Sequence, residues 1–324
     1  MIQVEHLSKS FQVAKRQSGF LNATKALFHR ETTTLHALKD ISFTINDGEM
    51  VGYIGPNGAG KSTTIKTLCG VLTPDSGRCV INGRTPWLER TAHTQEIGVV
   101  FGQRSQLWWD VPVADSFELI RDIYSVPNPQ YQKNLAELTE LLQLGELLKT
   151  PARTLSLGQR MRCELAASLL HDPKILFLDE PTIGLDAVSK IAVRKFIQKL
   201  NAEKKTTVIL TTHDMQDIEA LAQRIILIGR GEILLDGNLP SLKQHFAASK
   251  MLTVEYAGKL PTLPCGLTLK EQTNGRAVCQ LNPHELSVAD AVAFFSQEVT
   301  ILDLAITSIT AEEMVAKLYQ EYQI

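Results

Sequence analysis

The chain has 324 residues, 44% of them hydrophobic, 21% charged and 6% aromatic, with a formal net charge of −2. At roughly 150 residues per domain this length suits about two domains, and the near-neutral balance offers no electrostatic basis for a nucleic-acid partner. No apolar run reaches the roughly 18 residues of a membrane-spanning helix, and Met1 to His6 lack the basic-then-apolar pattern of a secretory signal. The five cysteines (Cys69, Cys79, Cys163, Cys265 and Cys279) form no CxxC pair, which predicts free thiols in a soluble protein of a reducing cytoplasm.

In chain order, Ile2–His6 reads as a first strand and Leu38–Ile45 as a second. The connection between them is long where short ones are usual. Within it, at about 14–34, Phe20, Leu21, Thr24, Leu27 and Phe28 recur at helical spacing among Lys15, Arg16, Lys25 and Arg30. That pattern predicts a short basic amphipathic helix, lying either on its own protein or against a membrane partner or anionic headgroups. Met50–Ile54 is an apolar strand followed by a helix from Ser62 to Gly70. Ile97–Phe101, Lys174–Leu178, Thr206–Leu210 and Arg224–Ile228 are apolar throughout, as strands of a mostly parallel sheet covered on both faces are. From Val113 to Asp172 helix follows helix, which suggests a helical subdomain inserted at about 113–172. After a change of character near 238–250, short strands at Met251–Tyr256, Leu267–Glu271, Ala277–Leu281 and Thr300–Ala305 come with helices at Val288–Ser296 and Ala311–Tyr322. They predict a small α+β domain over 250–324 behind a main domain over 1–240.

Gly55-Pro56-Asn57-Gly58-Ala59-Gly60-Lys61-Ser62 matches G-x-x-x-x-G-K-[ST] between a strand and a helix, the setting in which that motif has meaning. Gly58 and Gly60 let the backbone turn its N–H groups onto phosphates, and the positive end of the next helix adds to that field. Lys61 reaches the β- and γ-phosphates and the Ser62 hydroxyl suits magnesium. A nucleoside triphosphate is the expected ligand.

Four further motifs follow in order. Arg153-Thr154-Leu155-Ser156-Leu157-Gly158-Gln159-Arg160 is similar to an LSGGQ signature with Leu157 in place of its first glycine. Ile175-Leu176-Phe177-Leu178-Asp179-Glu180-Pro181 resembles a Walker B strand with its glutamate, Ile183-Gly184-Leu185-Asp186 a D-loop, and Thr211-Thr212-His213-Asp214 an H-loop. With the phosphate loop, these make residues 1–240 resemble the ATP-binding subunits of ABC transporters. The resemblance implies an α/β P-loop cassette with a mostly parallel core sheet, an antiparallel β subdomain and an inserted helical subdomain, plus the small C-terminal domain. It implies ATP and magnesium as cofactors, with ATP held by Gly55, Pro56, Asn57, Gly58, Ala59, Gly60, Lys61, Ser62 and Thr63. Ser62 and Asp179 would ligate magnesium, Glu180 would polarise the attacking water, and His213 would hold the γ-phosphate and water in line.

The same resemblance has Leu155, Ser156, Leu157, Gly158 and Gln159 cap the ATP of a second copy, with Gly184, Leu185 and Asp186 along the dimer interface. Asp186 has the alternative of capping the next helix. Phe11 in Lys9-Ser10-Phe11 takes the place of an aromatic residue that stacks on adenine, with core packing as its alternative. Gln103 is assigned as the Q-loop ligand of magnesium and water, although Gly102 adds a residue to the usual spacing and Gln106 remains open. Trp108 and Trp109 would face the membrane subunit.

The expected function is that of an ATP-hydrolysing subunit, paired as a homodimer and bound to two separate permease chains at the cytoplasmic face of the membrane. Gly102-Gln103-Arg104-Ser105-Gln106-Leu107-Trp108-Trp109-Asp110 resembles a viologen- or drug-efflux-type subgroup, which implies export. The alternatives are a soluble non-transport ABC ATPase and a nucleotide-dependent regulator. A single P-loop speaks against the two-cassette translation type, and Glu180 with His213 speaks against a regulator that does not hydrolyse.

Overall fold

The structure, a computed structural model, describes residues 1–14, 32–102, 104–246, 250–283, 285–308 and 311–322. Most of the expected basic segment at 14–34 and the Q-loop residue Gln103 lie outside these. The chain divides into two compact units, Met1–Asp236 and Gly237–Gln323.

The first unit holds two sheets. One is antiparallel in the order β2-β1-β4, from β1 (Ile2–Ala14), β2 (Thr32–Ile45) and β4 (Ser76–Ile81). The other has six strands in the order β5-β6-β7-β3-β8-β9. These are β3 (Met50–Ile54), β5 (Ile97–Phe101), β6 (Ile175–Asp179), β7 (Thr207–Thr211), β8 (Arg224–Gly229) and β9 (Glu232–Asn238). From β5 across to β8 the strands pair in parallel. Every residue of β3 and β7 is buried, which is why these strands lack polar alternation. The two sheets share a core that includes Ile2, Val4, Ile45, Tyr53, Ile65, Phe177 and Ile226.

Two features depart from the sequence expectation. β1 does not end at His6 but runs to Ala14 against a β2 that begins at Thr32, with register shifts between Val4 and Leu7, Leu7 and Lys9, and Lys9 and Ser10. Bulges flip the inward face, so the apolar alternation breaks while the hydrogen-bonded pairing continues. β4 and β9 carry no clear sequence signal because half or more of their residues remain solvent-accessible.

Helices connect the strands: α1 (Lys61–Leu68) after β3, α2 (Arg90–Thr94) before β5, and α3 (Val113–Ile123), α4 (Asn128–Leu142) and α5 (Leu157–Leu169) between β5 and β6. In this helical stretch Asn134 is buried and donates its amide to the Leu170 carbonyl at 2.8 Å, tying α4 to the end of α5. α6 (Ala187–Lys204) and α7 (Met215–Leu221) flank β7. Among the described residues no helix is long and apolar enough to cross a membrane.

The second unit contains α8 (Leu239–Phe246), β10 (Lys250–Ala257), β11 (Leu267–Thr273), β12 (Arg276–Leu281), α9 (Val288–Glu298), β13 (Thr300–Ser308) and α10 (Ala311–Glu321). Its antiparallel sheet has the order β11-β12-β10-β13. Leu252, Val254, Tyr256, Cys279, Leu281, Ala291 and Phe295 form a core of its own.

Candidate active site

The phosphate loop joins the buried end of β3 to the N-terminus of α1. Gly60 has φ +116, and a Cβ there would stand 2.6 Å from the Ala37 carbonyl oxygen. No side chain fits, so the backbone can turn into the helix without obstruction. Lys61 is buried, with Nζ donating to the carbonyls of Gly55 at 2.7 Å and Pro56 at 3.1 Å. Burial lowers its pKa, opposed by the charges of Glu180 and Asp179. The first turn of α1 holds no acidic residue, leaving the positive end of the helix open to an anion.

A cleft of about 770 Å³ opens beside this loop, lined among others by Asn57, Ser62, Phe101, Gly102, Asp179, Glu180 and His213. Its size suits a small-molecule ligand. Residues separated by more than 150 positions meet here because parallel strands end on the same side. Asp179 closes β6 and accepts a hydrogen bond from the Thr211 hydroxyl at the end of β7. Glu180 follows with φ +56, a left-handed conformation that a non-glycine residue rarely adopts. Its N–H donates to the Thr211 carbonyl at 2.9 Å, and its Oε1 lies 3.4 Å from His213 Nδ1. Gly102 packs directly on this turn, with its N–H donating to the Asp179 carbonyl at 2.8 Å. A Cβ on Gly102 would stand 2.5 Å from the Glu180 carbonyl oxygen. The glycine that lengthens the Q-loop spacing thus fills a place where no side chain fits.

Gln106 is half-buried, and its amide donates to the carbonyls of Val99 at 3.4 Å and Glu164 at 3.3 Å. Phe11 is half-buried on β1 opposite Leu35, with Lys9 Nζ 5.6 Å from its ring centroid. It does not line the cleft.

Leu155, Ser156, Leu157, Gly158 and Gln159 do not line it either. Ser156 N-caps α5 in a reciprocal capping box. Its Oγ accepts from the Gln159 N–H at 3.2 Å, and Gln159 Oε1 accepts from the Ser156 N–H at 2.9 Å. Leu157 is 37% exposed and rests on the D-loop, its Cδ2 2.8 Å from where a Cβ on Gly184 would be. Leu185 is buried. Asp186 caps α6, accepting from the Ser189 N–H at 2.9 Å and the Ser189 hydroxyl at 2.7 Å, bonds that lower its pKa.

Trp108 and Trp109 are 59% and 53% exposed. Just before them, Ser105–Leu107 is strapped to α5 through the buried Glu164, which accepts from the Ser105 hydroxyl and from the Gln106 N–H at 3.1 Å. Burial pushes the Glu164 pKa up against those bonds. Glu164, Asp217 and Thr182 lie outside every sequence motif, and the H-loop motif gives no role to the Thr211 and Thr212 hydroxyls. An acid inside an apolar helix was the one available clue.

The family described as ABC transporter matches residues 38–183. The chain is 33% identical over 221 residues to the linearmycin resistance ATP-binding protein LnrL of Bacillus subtilis, covering 68% of this chain and 70% of that one. It is 33% identical over 245 residues to ABC transporter A family member 8 of Dictyostelium discoideum, covering 75% of this chain but only 29% of that much longer relative. Among solved structures, the ATP-binding cassette MJ0796, dimeric and bound to ADP and Pi in a post-hydrolysis state, superposes with a TM-score of 0.62 at 25% identity. That match covers 74% of this chain and 99% of the other. Phosphate loop, acidic strand end, signature helix and histidine loop thus stand together on the fold these proteins share, and the chain belongs to the ATP-binding subunits of the ABC transporter family.

Proposed function

We propose that this ATPase cassette works as a pair, sealing ATP between the cleft of one copy and residues 155–159 of the other, and that it drives export through separate permease chains at the cytoplasmic face of the membrane. One observation carries the reading: the signature segment is built at a capped helix N-terminus yet stands outside the cleft of its own chain. A helix N-terminus favours an anion, and a second copy can supply one. The dimeric state of the MJ0796 cassette supports the same arrangement.

In this reading Gly55–Thr63 cradle the phosphates, with Lys61 held by two carbonyls beneath them. The oxygen donors of Ser62 and Asp179, both on the cleft wall, fit a magnesium ion, and Gln103, outside the described residues, is the further ligand this reading expects. When bound, that ion supplies positive charge against the β- and γ-phosphates. Glu180 accepts the proton of the attacking water, and His213, beside Glu180, orients it toward the γ-phosphate. Phe11 serves the adenine side, and Gly184, Leu185 and Asp186 the contact between copies. The paired tryptophans suit a membrane partner, since exposed aromatic side chains serve as interface anchors. LnrL, a resistance protein, supports the export direction. The regions 1–240 and 250–324 act as cassette and accessory domain.

The test uses Glu180→Gln. It binds ATP, elutes as a dimer on size exclusion when ATP is present, and turns over about 10²- to 10⁴-fold more slowly than wild type. Normal turnover in this variant, or full-rate hydrolysis by a strict monomer, would overturn the reading. Affinity isolation from native membranes tests the permeases, and export stands or falls with substrate efflux by that complex.

A further inference from the structure

Asp217 lies in the first turn of α7 and is fully buried. Its Oδ2 accepts the hydroxyls of Thr182 and, at 3.1 Å, Thr212. Its Oδ1 accepts Arg194 Nε from α6 at 2.6 Å. Thr182 stands two residues after Glu180 and Thr212 one residue before His213. One carboxylate therefore grips both loops that deliver the pair 3.4 Å apart in the cleft. The other side of His213 is held as well. The Asp214 N–H donates to the Thr212 hydroxyl at 2.9 Å, and its carboxylate takes Lys190 at 2.6 Å and Arg194 at 3.4 Å.

We propose that Asp217 is a positioning residue for ATP hydrolysis, setting the separation of Glu180 and His213 through Thr182 and Thr212. The inference rests on the catalytic reading of that pair. Glu180 needs such a grip because its backbone sits at φ +56, a conformation that persists only where the surroundings over-determine it. The Thr182 bond fixes the turn just after it and the Thr211 carbonyl fixes its N–H. The network also reaches α6, the helix that Asp186 caps, so Arg194 links the D-loop helix to the same carboxylate.

Removing Asp217 would take from Arg194 its shorter carboxylate partner, leaving only the 3.4 Å contacts to Asp214 and Gln216. It would also strip the Thr182 and Thr212 hydroxyls of their acceptor, so such a chain is expected to fold poorly. The threonines make the cleaner test, since valine keeps their shape and serine keeps their hydroxyl. In the full-length chain, Thr182→Val and Thr212→Val are expected to lower kcat by about 10- to 100-fold, the order of effect a sub-ångström misplacement produces. KM for ATP stays within about twofold, because the phosphate loop is untouched, whereas loss of binding would be read in KM. Thr182→Ser and Thr212→Ser recover most of kcat. Wild-type kcat in both valine variants, or serine variants no better than valine, would overturn the proposal, as would kcat and KM changing together in step with lost stability. Glu180→Gln measured in parallel separates the two claims. If it is inactive while the valine variants are normal, only the positioning role falls; if it is active, the catalytic reading falls first.

Discussion

Gly102→Ala asks the most of the site geometry. The added Cβ would stand 2.5 Å from the Glu180 carbonyl oxygen, 3.0 Å from that of Asp179 and 3.2 Å from the Glu180 carbonyl carbon. A carbon rests against a carbonyl oxygen at about 3.3 Å or more, so the methyl group is about 0.8 Å too close. All three obstructing atoms are backbone, and none can rotate aside. The end of β5 must part from the turn after β6, and the 2.8 Å bond between the Gly102 N–H and Asp179 stretches or breaks. Overpacking of this kind costs about 1–3 kcal/mol of stability. Displacing Glu180 by most of an ångström costs about 10- to 100-fold in kcat, or about 1.4 kcal/mol of barrier per factor of ten. The phosphate loop lies on β3, so ATP affinity should change little. Steady-state hydrolysis, nucleotide titration and urea unfolding of the purified variant give the three numbers. Gly145→Ala is the control, since a Cβ there meets nothing within 4 Å. Wild-type kcat at wild-type stability would refute the argument, as would binding falling as far as turnover.

Two other tests address the frame around the site. Partial burial would raise the pKa of Glu96, but hydrogen bonds from Arg84, Asn82 and Lys174 outweigh it and hold the carboxyl at about 2. Its contribution is complete above the unfolded value near 4.5 and disappears as pH falls toward 2, so the urea midpoints of wild type and Glu96→Gln should converge across that window. A difference that stays constant with pH would count against it. Ending the chain after Asn238 keeps β9 and the first unit's core while removing that of the second. ATP hydrolysis should persist, and a folded but inactive product would assign the second unit a part in turnover.

The central sheet was legible because a short apolar run without polar alternation suits a strand covered on both faces and little else. The strand expected at Ile97–Phe101 has those limits in the structure, and those of β6 and β7 differ by one residue. The β1–β2 pairing was only half legible, since bulges interrupt the pattern that marks a strand without interrupting its hydrogen bonds. At the site, motif spacing pointed to Asp179, Glu180 and His213, which line one cleft, and to Lys61 in the loop beside it. It did not reveal what holds them. The fit of Gly102 depends on a carbonyl 78 positions away, and Asp217, in the first turn of a helix, resembles any acid placed against a helix dipole.

The left-handed backbone of Glu180 also bears on protein engineering. A conformation of this kind costs about 1–3 kcal/mol, a sizeable share of the roughly 5–15 kcal/mol by which a typical fold survives. Glycine at this position would relax the strain, so a screen for heat resistance alone would favour Glu180→Gly. The selected protein would be sturdier and would have discarded the carboxylate. On the catalytic reading of Glu180, searches for hardier variants should therefore leave this position fixed.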